Sequence, residues 1–148
     1  MIKIICVGKI KEYYLKEAIE DYKKRLSKYT KLKIIEIKDE QNDKSLQLEA
    51  GNIKKYLDSK DFIITLEIEG EELRSEELAN LIDKKLITKP NITFIIGGSN
   101  GLDKSIKETS DFKLSFSKLT FPHQLFRVIL LEQIYRSFKI LSNETYHK

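Results

Sequence analysis

Ile92-Thr93-Phe94-Ile95-Ile96-Gly97-Gly98-Ser99-Asn100-Gly101 is the stretch on which the fold turns. Its first five residues are β-branched or aromatic and carry no charge, which reads as a strand buried on both faces. Strands of that kind belong to parallel sheets covered by helices on either side. The glycines that follow break the strand into a turn. In parallel α/β sheets ligands sit outside the carboxyl ends of the strands, so this turn is also the first place to look for a site.

Working outward, Met1 to Val7 reads as a first strand ended by Gly8, and Leu32 to Ile37 as a second. Between them Leu15, Ala18, Ile19, Tyr22, Leu26 and Tyr29 recur at three- and four-residue spacing, the stripe of an amphipathic helix. The polar stretch Asp39 to Lys44 is a loop, and Leu46 to Leu57 is helical despite Gly51 and Asn52. Phe62, Ile63, Ile64 and Leu66 form a third buried strand, with Leu66 at its carboxyl end and Gly70 closing the segment. Ser75 is placed to cap a helix that carries Glu76 and Glu77 in its first turn and Leu78, Leu81, Ile82 and Leu86 on one face. After the glycine turn come a short helix within Ser105 to Ser110 and a short strand, Lys113 to Ser117. The segment from Gln124 to about Leu141 has no breaker and is apolar on almost every side, which predicts a helix buried nearly all round. The alternation predicts an α/β fold, a mainly parallel sheet with helices on both faces, in one domain spanning residues 1–148.

Composition narrows the function classes. A chain of 148 residues with 41% hydrophobic content can bury a core without disulfides or metals. Cys6, its single cysteine, lies in an apolar run and reads as an inert core thiol. Two histidines, His123 and His147, are too few for a metal site without a carboxylate motif, so no metal is expected. No apolar run approaches the roughly eighteen residues of a membrane span and no leader pattern opens the chain, so a cytoplasmic protein is expected. Lys and Arg number 27 against 23 acids, a modest excess that suits an anionic partner such as nucleic acid and equally suits a solvated surface.

Three places could carry chemistry. The turn Gly97 to Gly101 could let a nucleoside approach the backbone, or could simply be a tight turn; its order is neither a dinucleotide fingerprint nor a P-loop. Phe116-Ser117-Lys118-Leu119-Thr120-Phe121 could grip an adenine edge between apolar side chains, or could be an ordinary connection. Arg127 and Arg136 lie on a helix bound for the core, and each needs a carboxylate such as Glu132, a carbonyl or a phosphate. His123 sits at a helix start where capping or packing is the plain role, and His147 lies in a terminal segment that is ordinarily frayed.

Taken in order, the strings ITLEIEG (64–70), FIIGGSNGL (94–102), LSFSKLTFPHQLFRVILLEQIYRSFKI (114–140) and the terminal YHK resemble the ribosomal large subunit methyltransferase H family of the SPOUT class. The likeness extends to VGKIKEYYLKEAIEDYKKRL (7–26) and departs from the family pattern at the short loop Asp39 to Lys44 and at Ala50. The resemblance implies a C-terminal trefoil knot over about residues 92–148, a homodimer, and S-adenosylmethionine as cofactor, held by Leu66, Gly97 and Phe116, Ser117, Lys118, Leu119, Thr120 and Phe121. The implied reaction is methylation of N3 of a pseudouridine in helix 69 of 23S rRNA in the assembled ribosome. The expected catalytic residues are His147 as a base, Arg136 and Tyr146, with Lys148, Arg127 and His123 on the RNA. The alternative is a non-catalytic RNA-binding protein associated with the ribosome.

Overall fold

The structure is a computed structural model describing residues 1–148. Five strands and five helices alternate: β1 (Ile2–Val7), α1 (Tyr13–Leu26), β2 (Leu32–Ile37), α2 (Ser45–Lys54), β3 (Phe62–Glu72), α3 (Ser75–Thr88), β4 (Ile92–Ile96), α4 (Lys104–Lys107), β5 (Phe112–Ser115) and α5 (His123–Leu141). The strands form one parallel sheet in the order β2-β1-β4-β3-β5. All five residues of β4, in the centre, are buried, as its uncharged sequence requires.

Helices cover both faces. On one, Ile19 and Leu26 of α1, Leu78 and Ile82 of α3 and Leu130, Leu131 and Ile134 of α5 meet Ile2, Ile4, Ile64 and Phe94 of the sheet. On the other, Ala50 and Ile53 of α2 and Ile106 of α4 meet Ile5, Ile63 and Ile95. Alternate residues of each strand therefore feed different cores, the consequence of a two-residue side-chain period in a sheet buried on both sides. Cys6 is fully buried, its Sγ lies 3.5 Å from the Ile35 carbonyl, and burial pushes its thiol up to about 12. It is inert at ordinary pH.

The amino ends of β1, β3 and β4 are tied by Asp61, which is 2% exposed. Its carboxylate accepts from Lys3 Nζ at 3.1 Å, Asn91 Nδ2 at 2.9 Å and Thr93 Oγ1 at 3.1 Å. Three donors, one charged, offset the cost of burying that charge. This polar tie leaves the opposite, carboxyl edge of the sheet as the end that opens toward a ligand.

Three expectations need correction. β3 does not end at Gly70 but runs to Glu72. Leu66 pairs with Leu114, the register then slips, and Glu71 pairs with the same Leu114. Gly70 permits the return, because a Cβ there would lie 2.7 Å from the Lys113 carbonyl oxygen. Ser75 does not cap α3; its hydroxyl donates to Gln133 Oε1 at 2.9 Å, and the Glu77 carboxylate reaches back to the Arg74 N–H at 2.8 Å instead. Finally, α5 is fully buried only on the face that carries Arg127, Leu130, Leu131, Ile134, Tyr135, Ser137 and Phe138. It packs on α1 and α3, which leaves Val128, Ile129 and Ile140 half-buried and Leu125 39% exposed.

Candidate active site

At the carboxyl edge a cleft of about 210 Å³ opens between three segments. Leu66, Glu67 and Ile68 of β3 form one wall, the turn from Gly97 to Leu102 a second, and the β5–α5 loop a third. Of the residues assigned to the cofactor from the sequence, Leu66, Gly97, Phe116, Ser117, Leu119, Thr120 and Phe121 all line it. Lys118 does not, and is exposed beside it.

The glycine turn is as tight as its composition suggests. A Cβ on Gly97 would collide with the Gly101 carbonyl, and one on Gly98 would come within 3.0 Å of Val7. Gly101 holds φ at +77°, where glycine is favoured, and its N–H donates to the Gly98 carbonyl at 3.0 Å. The two readings of this segment are thus compatible: the turn needs its glycines to close, and closing it places bare backbone on the cleft.

The β5–α5 loop is shaped by its own hydroxyls. Ser115 Oγ donates to the Ser117 carbonyl at 3.1 Å, and Ser117 Oγ accepts from the Leu119 N–H at 3.0 Å. Phe116 and Phe121 pack on Phe126 of α5, with ring centroids 4.9 and 5.8 Å away. Leu119 is left 72% exposed. Such a loop offers apolar faces and fixed backbone groups to a flat ring.

Glu67 was not anticipated from the sequence. It is the one acid on the cleft, its side chain 11% exposed, and it accepts from Thr65 Oγ1 at 2.6 Å with Lys107 Nζ 4.0 Å away. A carboxylate here can accept from ligand hydroxyl or amino groups. The strand-end rule that selected Leu66 pointed to its neighbour equally well.

The remaining candidates form a separate cluster where the tail crosses α3 and α5. Glu132 accepts from Arg136 Nε at 3.0 Å and from Tyr146 Oη at 2.6 Å, and the Arg136 guanidinium lies 4.9 Å from the Tyr146 ring centre. The bond to Glu132, with burial second, pushes the Tyr146 phenol up to about 12. Arg136 Nη1 lies 3.1 Å from His147 Nδ1, and His147 Nε2 lies 2.9 Å from Glu76 Oε1. A guanidinium only donates, so Nδ1 accepts and the ring proton sits on Nε2, facing Glu76. Glu76 is held below the usual carboxylate range by its own backbone N–H and then by His147. The tail is latched rather than frayed, although Lys148 is exposed.

None of Arg136, Tyr146, His147 and Lys148 lines the cleft of its own chain. His123 does, at the start of α5. Arg127 is 1% exposed: Nη1 donates to Glu36 at 2.7 Å, Nη2 to the Gly8 carbonyl at 3.0 Å, and Nε has no partner. Arg127, expected on the RNA, has its buried side chain joining α5 to β1 and β2 in this chain. No group of three or more His, Cys, Asp or Glu is arranged to hold a metal ion, and no helix is long and apolar enough to cross a membrane.

Comparison with known proteins places this geometry. Residues 1–147 match the family described as "Predicted SPOUT methyltransferase". The chain is 59% identical to a Methanococcus maripaludis protein provisionally named ribosomal RNA large subunit methyltransferase H, over 99% of each chain. It is 51% identical, over the full length of both, to the ribosomal RNA large subunit methyltransferase H of Caldicellulosiruptor saccharolyticus. Among solved structures it is similar in fold to a Haemophilus influenzae protein described as a "probable methylase family protein", with a TM-score of 0.60, 16% identity, and coverage of 99% of this chain and 70% of that one. A match to the family over nearly every residue, with relatives alike from end to end, means that this chain belongs to the SPOUT methyltransferases and, among them, to the ribosomal RNA large subunit methyltransferase H family.

Proposed function

We propose that the chain transfers a methyl group from S-adenosylmethionine to N3 of a pseudouridine in helix 69 of 23S rRNA, acting on the assembled ribosome in the cytoplasm as a homodimer. The observation that carries this reading is the cleft: a bare-backbone turn and an apolar, hydroxyl-braced loop facing each other at the carboxyl edge of a parallel sheet, with one carboxylate between them. Those residues fit a nucleoside cofactor, since Phe116, Leu119 and Phe121 can enclose a purine, the 97–101 backbone admits close approach, and Glu67 can accept from ribose hydroxyls. When bound, S-adenosylmethionine supplies a sulfonium-activated methyl group. The trefoil knot over about residues 92–148 goes with this reading, because SPOUT membership implies it.

The chain's own residues then have to position N3 in line and take its proton. His147 is the proposed base, and the latch sets its tautomer: reaching N3 requires the lone pair on Nδ1 to exchange Arg136 for the nucleotide. Arg136 and Tyr146 orient the base, and Lys148 holds a neighbouring phosphate. Because these groups lie off the cleft of their own chain, the reading places them at the cleft of a second copy, with the half-buried strip of α5 and exposed Leu119 and Leu125 as the apolar surface between copies. The test is mass spectrometry of rRNA from ribosomes incubated with the protein and labelled cofactor. One added methyl on N3 of that pseudouridine is expected, and no methyl there would sink the assignment.

A further inference from the structure

A second opening lies beside the cleft, at the carboxyl ends of β1 and β2. It is a groove of about 620 Å³ with Lys9, Lys11, Lys38 and Asp39 along it and His123 and Gln124 of α5 at its edge. His123 lines both the groove and the cleft, so the two share a rim. The groove is also fixed to the cleft through the backbone: the Lys11 N–H donates to Gln124 Oε1 at 3.1 Å, and Gly8 passes so close to His123 that a Cβ there would lie 3.5 Å from Nε2.

The charge of the groove is positive. Lys9, Lys11 and Lys38 are exposed and none makes an ion pair. Of the two acids that line it, Glu36 is taken by Arg127 and by the Ile10 N–H, which leaves Asp39 against three lysines. Two residues beyond Lys11 of the groove, α1 opens with Tyr13 and Tyr14, 73% and 66% exposed, with Lys16 exposed one turn on. Two largely uncovered phenol rings among lysines suit a single strand, whose phosphates want cations and whose unstacked bases want flat faces. A protein partner would favour a patch depleted in lysine.

Resting on the rRNA methyltransferase reading, we propose that this groove and the Tyr13–Tyr14 pair are a docking surface for the rRNA backbone and unstacked bases next to the target nucleotide. The surface delivers the strand along the shared His123 rim into the cleft.

The test uses the full chain with K9Q/K11Q/K38Q and Y13S/Y14S variants. Ribosome binding is measured by sedimentation across a salt series, alongside calorimetry with S-adenosylmethionine and the mass of the protein in solution. The lysine variant should lose roughly ten- to hundredfold in ribosome affinity at low salt, with a log-log salt slope shallower by about 2 to 3. The tyrosine variant should lose roughly tenfold with its slope unchanged. Cofactor affinity and subunit mass should match the parent in both. Parental affinity and slope in both variants would overturn the proposal, and so would a loss of binding that tracks a change in subunit mass, which would make the patch a contact between copies. A parent chain that methylates no RNA would sink the methyl-transfer reading instead, while the sedimentation series would still decide this surface.

Discussion

The cleft and the tail latch are built from opposite materials. The cleft is made by backbone and apolar side chains: a Gly97 where a Cβ would strike the Gly101 backbone, a phenylalanine cluster, and hydroxyls spent on loop shape. The latch is made by charged and polar side chains, Glu132, Arg136, Tyr146, His147 and Glu76, each satisfied by another. A backbone-built site is preorganised and bears substitution poorly, which suits a ligand that always has the same shape. A side-chain network on a half-exposed surface can be exchanged bond for bond, which suits a group that must leave one partner and meet another.

That contrast can be broken at either end. The largest expected effect is on chemistry without binding: His147→Ala should slow methyl transfer roughly a hundredfold or more while leaving cofactor affinity within about twofold. Single-turnover transfer and calorimetry on one preparation check it, and full activity would remove His147 from the reaction. Gly97→Ala should do the reverse. The added methyl has to displace the Gly101 backbone, a strain of roughly 1 to 3 kcal/mol, and cofactor affinity should fall at least about tenfold. Parental affinity in that variant would move the cofactor elsewhere.

Smaller effects sharpen the comparison. Tyr146→Phe removes the 2.6 Å bond to Glu132, so the tail should become sensitive to limited proteolysis and transfer should fall roughly three- to tenfold. The phenol is pushed up to about 12 from an ordinary value near 10, so its proton is held more tightly in the docked state than in the free one. The contribution of Tyr146 to docking should therefore be complete below about pH 10 and disappear as the pH climbs toward 12, followed by ultraviolet titration of the phenol. Smallest is Glu49→Gln, on α2 and in neither the cleft lining nor the latch. Burial raises the carboxyl of Glu49, with the nearby Asp39 acting in the same direction, so the folded chain favours the protonated form. A glutamine keeps an acceptor for the Glu40 N–H and removes the charge. It should raise Tm by a few degrees at neutral pH, and the gain should vanish as the pH falls below the ordinary carboxylate range, where the glutamate is protonated in both states.

Sequence periodicity reached the parts of the molecule that are decided locally. β2 spans Leu32–Ile37, as its alternation predicts, and α5 starts one residue before the helix read from its unbroken apolar run. The strand-end rule and the family resemblance converged on the segments that do line the cleft, apart from Lys118. What was not legible depends on partners far along the chain. Arg127 meets Glu36 across 91 residues, and His147 meets Glu76 across 71. Periodicity is blind to both, so Glu132 looked like an equally good partner for either arginine. Gly70 likewise read as a stop, because nothing near it shows that the Lys113 backbone will press against that position.

The slip in β3 has a consequence of another kind. Leu66 and Glu71 face the same residue of β5, so the four residues between them carry no register with that strand, and two of them, Glu67 and Ile68, wall the cleft. Ahead of Gly70, which the Lys113 backbone holds close, an added residue would leave the pairs on either side in place, and lengthening a short loop costs only a fraction of a kcal/mol, about 0.6 for each doubling. Cleft width is thereby uncoupled from fold integrity. Lineages could reshape the mouth by insertion at one point while the glycine turn opposite stays fixed, a form of evolvability placed where ligand fit can vary and the core cannot.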